Sequence, residues 1–166
     1  MKEFFKNAVN GPFKEAQCGI LDLSDEDPHA VKAMVNHMYF GSYGNREPTE
    51  DATQTKSTWY VESLPLHAKI YVLGDKYDVD DLCTDATCHI QPIVVKNPGC
   101  ATNPLFLDAV RIIYSGTTAV SGKMVRKVLV KAMAKQRNDL NQEGPKAVMR
   151  EFLDLAIDLA TATSVP

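Results

Sequence analysis

The chain has 166 residues, 45% of them hydrophobic and 23% charged, which suits one sizeable core and is too short for several large domains. The net charge of −3 excludes a general electrostatic attraction to nucleic acid or anionic membranes. No stretch approaches the roughly 20 apolar residues that span a bilayer, and the N-terminal segment has no signal-peptide core. We therefore expect a soluble protein of the cytoplasm or nucleus, with its four cysteines reduced.

The first elements are predicted from turn formers and apolar spacing. Residues 19–23 are short, apolar and bounded by turn formers, which is typical of a strand. Asp27 and Pro28 then supply an N-cap and a proline at the first helical position. Apolar residues follow at helical spacing until Gly41: Val31, Met34, Val35, Met38 and Tyr39. One strand and one amphipathic helix are predicted.

A polar segment and a helical hairpin come next. Residues 44–63 lack helical periodicity, so they predict a flexible insertion with a docked end at 59–61. Residues 64–77 predict a helix buried on two sides, and residues 79–91 predict a second helix that Pro92 ends. Asp78 is expected to shape the turn between them.

The C-terminal part is predicted to be all-helical. A linker over 92–103 precedes three helices, each marked by apolar residues at helical spacing. These residues are Phe106, Leu107, Val110, Ile113 and Tyr114; Val125, Val128, Leu129, Ala132 and Met133; and Val148, Met149, Phe152, Leu153, Ala156, Ile157 and Ala160. The predicted fold class is mainly α with a minor β component.

The hairpin contains residue types that bind metals. A calcium loop starting at Asp78 would need glycine at its sixth position and glutamate at its twelfth, where Cys83 and His89 stand. Cys83 and Cys88 would lie about 140° apart on a helix, with Cys83 inward and Cys88 outward, which does not suit zinc. The sequence predicts no metal site.

A catalytic histidine is not predicted either. His67 and Cys83 would form a nucleophile pair only if hairpin packing brought them together. We expect His67 to be partly buried near Tyr71 and satisfied by a backbone carbonyl. No phosphate-binding loop or hydrolase motif is present. The sequence therefore predicts no catalytic residue, no cofactor and no enzyme.

A basic amphipathic helix is predicted within residues 121–137. Its basic residues are Lys123, Arg126, Lys127, Lys131, Lys135 and Arg137, with no acid among residues 123–137. Such a helix suits nucleic acid or a calmodulin-like groove. The alternative, which we favour, is a solvated face neutralised by Glu151, Asp154 and Asp158, because no aromatic residues interleave with the basic ones.

Two stretches and their order resemble a known family. ILDLSDEDPHAVKAMVNHMYFGSY and LHAKIYVLGDKYDVDDLCTDA resemble the second part of a BTB/POZ domain of the fungal type, and EFFKNAVNGPFKEAQ is similar to the helix and loop before its strand. The resemblance covers residues 3–91, and the tail to about residue 161 is similar to the fungal extension. It implies a partial domain over 1–91, without the usual N-terminal strands and first helix, then a linker and an extension over 104–162.

The resemblance implies a protein–protein interaction module without catalysis. Such domains homodimerise, and some recruit a cullin scaffold as substrate adaptors of ubiquitin ligases. Cullin-binding members carry a hydrophobic-x-Glu motif, which Phe13-Lys14-Glu15 matches. Phe13 would be an apolar plug and Glu15 a polar partner, with Tyr77 on the same surface; alternatively, Phe13 covers the edge of the core.

Overall fold

A computed structural model of the protein describes residues 11–12, 14–44, 62–97 and 99–162. These residues are mainly helical, as predicted, and contain eight α-helices that we number in chain order. The helices are α1 (Lys14–Cys18), α2 (Pro28–Phe40), α3 (Leu64–Lys76), α4 (Asp80–Lys96), α5 (Pro104–Gly116), α6 (Lys123–Ala134), α7 (Glu143–Glu151) and α8 (Leu153–Ala162). Two 3-10 turns lie at Cys100–Thr102 and Asp139–Asn141.

The predicted strand at residues 19–23 is wrong. This segment has no regular structure beyond a turn at Gly19, and Leu23 packs against the core while Ile20 is exposed. A strand is held by the backbone hydrogen bonds of a neighbouring strand, and the part of the chain that the structure describes contains none. The minor β component is therefore not seen there.

Helix α2 begins and ends where its local residues predict. The Asp27 carboxylate accepts hydrogen bonds from the backbone N–H groups of His29 and Ala30 at 2.9 and 3.1 Å, which satisfies two free donors at the helix start. At the other end Gly41 has a φ of 77° and donates its N–H to the carbonyl of His37 at 2.8 Å. A left-handed glycine is a common helix stop.

The predicted hairpin is formed by α3 and α4, and Asp78 shapes its turn. Asp78 has a φ of 56°, and the N–H of Val79 donates to the carbonyl of Gly74 at 2.7 Å. The N–H of Asp78 also donates to the carbonyl of Asp75 at 3.3 Å. These two bonds form a Schellman motif, in which a left-handed residue ends the helix.

The two hairpin helices approach closely at Gly74. A Cβ atom at this position would lie 2.9 Å from the sulfur of Cys83. The Cys83 thiol donates in turn to the carbonyl of Tyr71 at 3.5 Å. A side chain at this position would force the helices or the Cys83 side chain to shift.

Pro92 does not end α4, contrary to the prediction. The helix continues for another turn to Lys96, with Pro92 inside it. Pro92 is exposed, whereas Ile93 and Val94 are buried in the core. The proline removes the hydrogen bond to the carbonyl of Cys88 on the solvent side, and the buried residues beyond it hold the helix together.

The C-terminal helices share a core with the hairpin. Helix α5 packs directly on α3, and the Tyr71 hydroxyl donates to the carbonyl of Ser121 at 2.8 Å. The long helix predicted over 148–160 is two helices, because Phe152 has an extended backbone with φ −123° and ψ 102°. The Phe152 ring lies beside Tyr114, with centroids 6.0 Å apart. This contact accompanies the break.

The predicted insertion at 44–63 and its docked end at 59–61 fall mostly on residues outside the described ranges. The turn that leads into it, residues 41–44, is described and lies against the hairpin through Tyr43. Among the described helices, none has the length and apolar character needed to cross a membrane.

Candidate interaction surfaces

Of the three residues predicted to bind a partner, Tyr77 is the one whose side chain is described. It is 8% exposed and belongs to the core. Its hydroxyl donates to the carboxylate of Glu26 at 2.9 Å, and the ammonium of Lys76 binds the same oxygen at 2.5 Å. Phe13 lies outside the described residues, and so does the side chain of Glu15, whose backbone is in α1.

The Lys76 and Tyr77 pair holds Glu26 in its ionised form. The hydrogen bond from Lys76 is the main reason that the pKa of Glu26 lies below its ordinary value, and the Tyr77 hydroxyl acts in the same direction. Because Tyr77 is 8% exposed, little of its side chain is available to a partner. The role of Tyr77 in partner binding stays a prediction.

The outer face of α2 exposes apolar side chains to solvent. Val35 and Met38 are 41% and 42% exposed, and Tyr39 and Phe40 are 81% and 80% exposed. Their spacing of three and four residues places Val35, Met38 and Tyr39 on one side of the helix. The rings of Tyr39 and Phe40 lie 6.4 Å apart. Exposed apolar patches of this kind mark interaction sites.

The sequence did not reveal this outer face. Val35, Met38 and Tyr39 were expected to share the inward stripe with Val31 and Met34. The buried face of α2 instead consists of Ala30, Ala33, Met34 and His37. It therefore includes the two alanines and lies to one side of the predicted stripe. Alanines let α2 approach the hairpin closely, so the larger side chains beside them are left outside.

A cluster of polar side chains joins the end of α2 to the hairpin. Nδ1 of His37 lies 3.1 Å from the carboxylate of Asp85. The same carboxylate accepts from the backbone N–H of Tyr43 at 3.2 Å. The Tyr43 hydroxyl lies 2.9 Å from Nδ1 of His67. His67 is buried more completely than the partial burial we expected, and its partner is a tyrosine hydroxyl rather than the predicted backbone carbonyl.

A second histidine in the cluster stacks on the first. The rings of His67 and His89 are nearly parallel, with centroids 5.2 Å apart. Burial, and secondly the charge of His89, lower the pKa of His67 to about 4, and burial also lowers the pKa of His89. Nε2 of His89 is buried without a hydrogen bond, 3.5 Å from Asp85. Both shifts favour the neutral form of the imidazole.

This cluster is built to hold structure together. Burial raises the pKa of the Tyr43 hydroxyl, and the Asp85 carboxylate is occupied by His37 and Tyr43. In the described parts of the chain, no three His, Cys, Asp or Glu side chains are arranged to hold a metal ion. The arrangement ties the 41–44 turn to both hairpin helices.

The buried arginine of α6 faces one of the acidic groups expected to neutralise the basic helix, Asp154. Arg126 is 3% exposed, lies 4.3 Å from the centroid of the Tyr114 ring and donates to Thr117. Its Nη1 lies 3.6 Å from the carboxylate of Asp154. Asp158 accepts from the Tyr114 hydroxyl at 2.8 Å. The C-terminal helix is thus held by a buried cation over an aromatic ring.

Two of the acidic residues expected to neutralise the lysines of α6 bind arginines instead. Glu151 binds Arg111 at 2.9 Å, and Asp154 faces Arg126. Four exposed lysines at steps of four residues form what we call the lysine row: Lys123, Lys127, Lys131 and Lys135. Within the described ranges none of the four forms an ion pair. In the described residues the solvated face therefore carries lysines without direct ion pairs, and Asp75, Asp78 and Asp80 line a pocket with Lys123 and Lys127 at one end of it.

Two grooves flank the lysine row. One, of about 720 Å³, lies between α6 and α8 and is lined by Ala119, Val130, Ala134, Asp158 and Ala162 besides the lysines. The other, of about 690 Å³, lies between α4 and α6 and includes Val94, Val95, Val128 and Ala132. Lys127, Lys131 and Lys135 border both grooves.

Comparison with known proteins gives no match, since no family model, no curated protein and no solved structure is similar to this chain. The chemistry of the exposed faces is therefore the basis for assigning a function.

Proposed function

We propose that this protein is a protein–protein interaction module, of the BTB/POZ-like kind that its sequence resembles, and that it pairs with a second copy through the outer face of α2. The observation that carries the proposal is the exposure of Tyr39 and Phe40. Two aromatic side chains that are four-fifths exposed are costly to keep in water and contribute strongly when an interface buries them.

The chemistry of α2 supports a second copy as the occupant. The four exposed side chains Val35, Met38, Tyr39 and Phe40 are uncharged, so apposing two copies brings no like charges together at the centre. In an antiparallel pair, Lys32 of each copy would point to the C-terminal end of the other α2. Helix C-terminal carbonyls favour a cation, so the same patch is complementary to itself, as a two-fold interface requires.

The interior supports a role without catalysis. Three reactive side chains of the hairpin are bound to another group of the protein: His67 to Tyr43, Asp85 to His37, and the Cys83 thiol to the carbonyl of Tyr71. These bonds stabilise the fold rather than expose a nucleophile or a base. An adaptor for a cullin-type ubiquitin ligase, with Phe13, Glu15 and Tyr77 at the scaffold contact, is the finer form of the proposal.

The test is the absolute mass in solution, measured by size-exclusion chromatography with light scattering across a concentration series. We expect the mass to rise with concentration from 18.3 kDa towards twice that value. Tyr39→Glu should hold the protein at the monomer mass, because an unpaired charge buried in an apolar interface is strongly unfavourable.

The matched control is Val120→Glu, which places the same charge on another exposed apolar residue outside α2. It should associate like the wild type. A wild-type protein that stays monomeric at every concentration, or a Tyr39→Glu variant that associates normally, would contradict the proposal.

A further inference from the structure

The lysine row is a linear array of positive charge. Lys123, Lys127, Lys131 and Lys135 follow one side of α6, with about 6 Å between successive positions and about 18 Å from first to last. Like charges four residues apart destabilise a helix by a few tenths of a kcal/mol each. Inside the described ranges no carboxylate pairs with them. An external set of negative charges at matching spacing would remove this repulsion.

The groove between α6 and α8 supplies apolar surface beside that charge. Its walls are made by small residues, with Val130 and Ala134 on α6 and Ala162 on α8. Because these side chains are short, the groove is deep enough to admit larger apolar side chains from a partner. A volume of about 720 Å³ falls within the usual range for ligand pockets. The apolar side chains of the groove and the basic side chains at its rim therefore both lie along α6.

From this arrangement we infer that the α6–α8 groove and the lysine row bind an acidic amphipathic segment of a partner protein. The apolar side chains of the segment enter the groove beside Val130 and Ala134, and its carboxylates face Lys127 and Lys131. Laying an amphipathic segment into an apolar groove is a common mode of peptide recognition. This surface is separate from the outer face of α2, so the two proposals stand or fall independently.

The groove suits an acidic protein segment better than nucleic acid. No aromatic side chain is among the described residues that line either groove, whereas single strands bind by stacking bases on aromatic rings. Arg126 lines the α6–α8 groove, but it is 3% exposed and donates to Thr117, so little of its guanidinium is accessible to a phosphate.

The test is fluorescence polarisation with the full chain and three labelled probes. The first probe is a peptide of about 15 residues, long enough as a helix to span the row, with leucines at helical spacing and glutamates on the flanks. The second is the same peptide scrambled to disperse the leucines. The third is a single-stranded oligonucleotide of equal charge. We expect the amphipathic peptide to bind most tightly.

Variants assign the binding to this surface. Lys127→Glu with Lys131→Glu should weaken binding of the peptide about tenfold or more, since attraction at two contacts becomes repulsion. Lys96→Glu with Lys146→Glu changes the net charge equally and lies outside the lysine row and the lining of both grooves, so it should bind like the wild type. Ala134→Asp should weaken binding by placing a carboxylate in the groove, at a residue that is partly exposed. Circular dichroism and thermal unfolding check that each variant is folded.

A charge exchange completes the test. A peptide with lysines in place of the glutamates should bind the Lys127→Glu, Lys131→Glu variant better than the wild type. Absence of binding by the acidic amphipathic peptide would overturn the inference. Equal binding of the scrambled peptide would show charge attraction alone, and preference for the oligonucleotide would show a nucleic-acid surface; either result also overturns it.

Discussion

The hydroxyl of Tyr43 lies 2.9 Å from Nδ1 of His67, and this contact joins the turn after α2 to the first helix of the hairpin. The His67 side chain is buried and the hydroxyl is its hydrogen-bond partner at Nδ1. Since a buried polar atom left without a partner is costly, this pair should contribute measurably to folding stability.

Tyr43→Phe tests that contribution. The variant keeps the ring and removes the hydroxyl, so Nδ1 of His67 is left unpaired and the free energy of unfolding should fall by about 1–3 kcal/mol. Urea unfolding followed by circular dichroism measures the change. Tyr39→Phe removes a hydroxyl from an exposed ring and should change stability little. Equal effects of the two substitutions would contradict the role of the His67 contact.

Stability should decrease in mild acid because of His67. Burial lowers its pKa to about 4 from the ordinary 6.5, so the unfolded chain binds the proton more readily than the folded protein. The contribution is fully present above about pH 6.5 and is lost as the pH falls towards 4, with a slope of at most about 1.4 kcal/mol per pH unit.

Urea unfolding at several pH values between 7.5 and 4.5 measures this slope. His67→Gln should make it shallower, whereas His29→Gln, which changes an exposed histidine, should leave it unchanged. His89 contributes in the same direction, because burial lowers its pKa also. A slope that is the same in wild type and His67→Gln would show that His67 is not the responsible group.

The hairpin turn should become more stable when Asp78 is replaced by glycine. Asp78 has a left-handed backbone with φ 56°, which costs a residue with a side chain about 1 kcal/mol. Its negative charge at the C-terminal end of α3 is also unfavourable. Asp78→Gly should raise the free energy of unfolding by about 0.5–1 kcal/mol. Asp78→Ala removes the charge but keeps the strained backbone, so it separates the two effects.

The close approach of α3 and α4 predicts that Gly74→Ala is destabilising. The added Cβ would lie 2.9 Å from the Cys83 sulfur and 3.3 Å from the carbonyl oxygen of Val79, so the helices must move apart at a cost of about 1–3 kcal/mol. Gly144→Ala is the control in another helix. Its nearest neighbour is the end of the Leu107 side chain at 3.0 Å, which can rotate away. Thermal unfolding compares the two.

The four thiols should divide into a reactive pair and an unreactive pair. Cys18 and Cys88 are exposed, and Cys83 and Cys100 are buried. Burial raises the pKa of Cys83 to about 12 and that of Cys100 in the same direction, so neither forms the reactive thiolate readily. Titration with Ellman's reagent should modify two thiols quickly and the others only on denaturation. Fast reaction of Cys83 or Cys100, identified by mass spectrometry, would contradict the packing of the hairpin.

Local sequence features predicted the parts of the fold that short-range chemistry determines. Asp27, Pro28 and Gly41 delimit α2, and Asp78 forms the turn where the hairpin was expected. Packing between distant segments decided the rest. Pro92 is tolerated inside α4 because the residues beyond it are buried, and tertiary contacts of this kind override local helix-breaking tendencies.

The candidate surfaces were harder to predict than the helices. Tyr43 reaches His67 across 24 positions of sequence, so no local pattern pairs them. The basic helix was visible in the sequence. The ion-pair partners of Glu151 and Asp154 were not, because helix packing brings Arg111 and Arg126 to them. Apolar spacing on α2 could not separate the inward face from the outward one, since both carry hydrophobic residues.

Helix α6 carries two kinds of positive charge, the buried guanidinium of Arg126 and the exposed ammonium groups of the lysine row. The guanidinium holds α8 from inside, while every charge of the lysine row is a primary amine in water. Acetylation neutralises lysine and leaves arginine unchanged. An acetyltransferase could therefore remove the charge of the outer face of α6 in successive steps without loosening the attachment of the C-terminal helix.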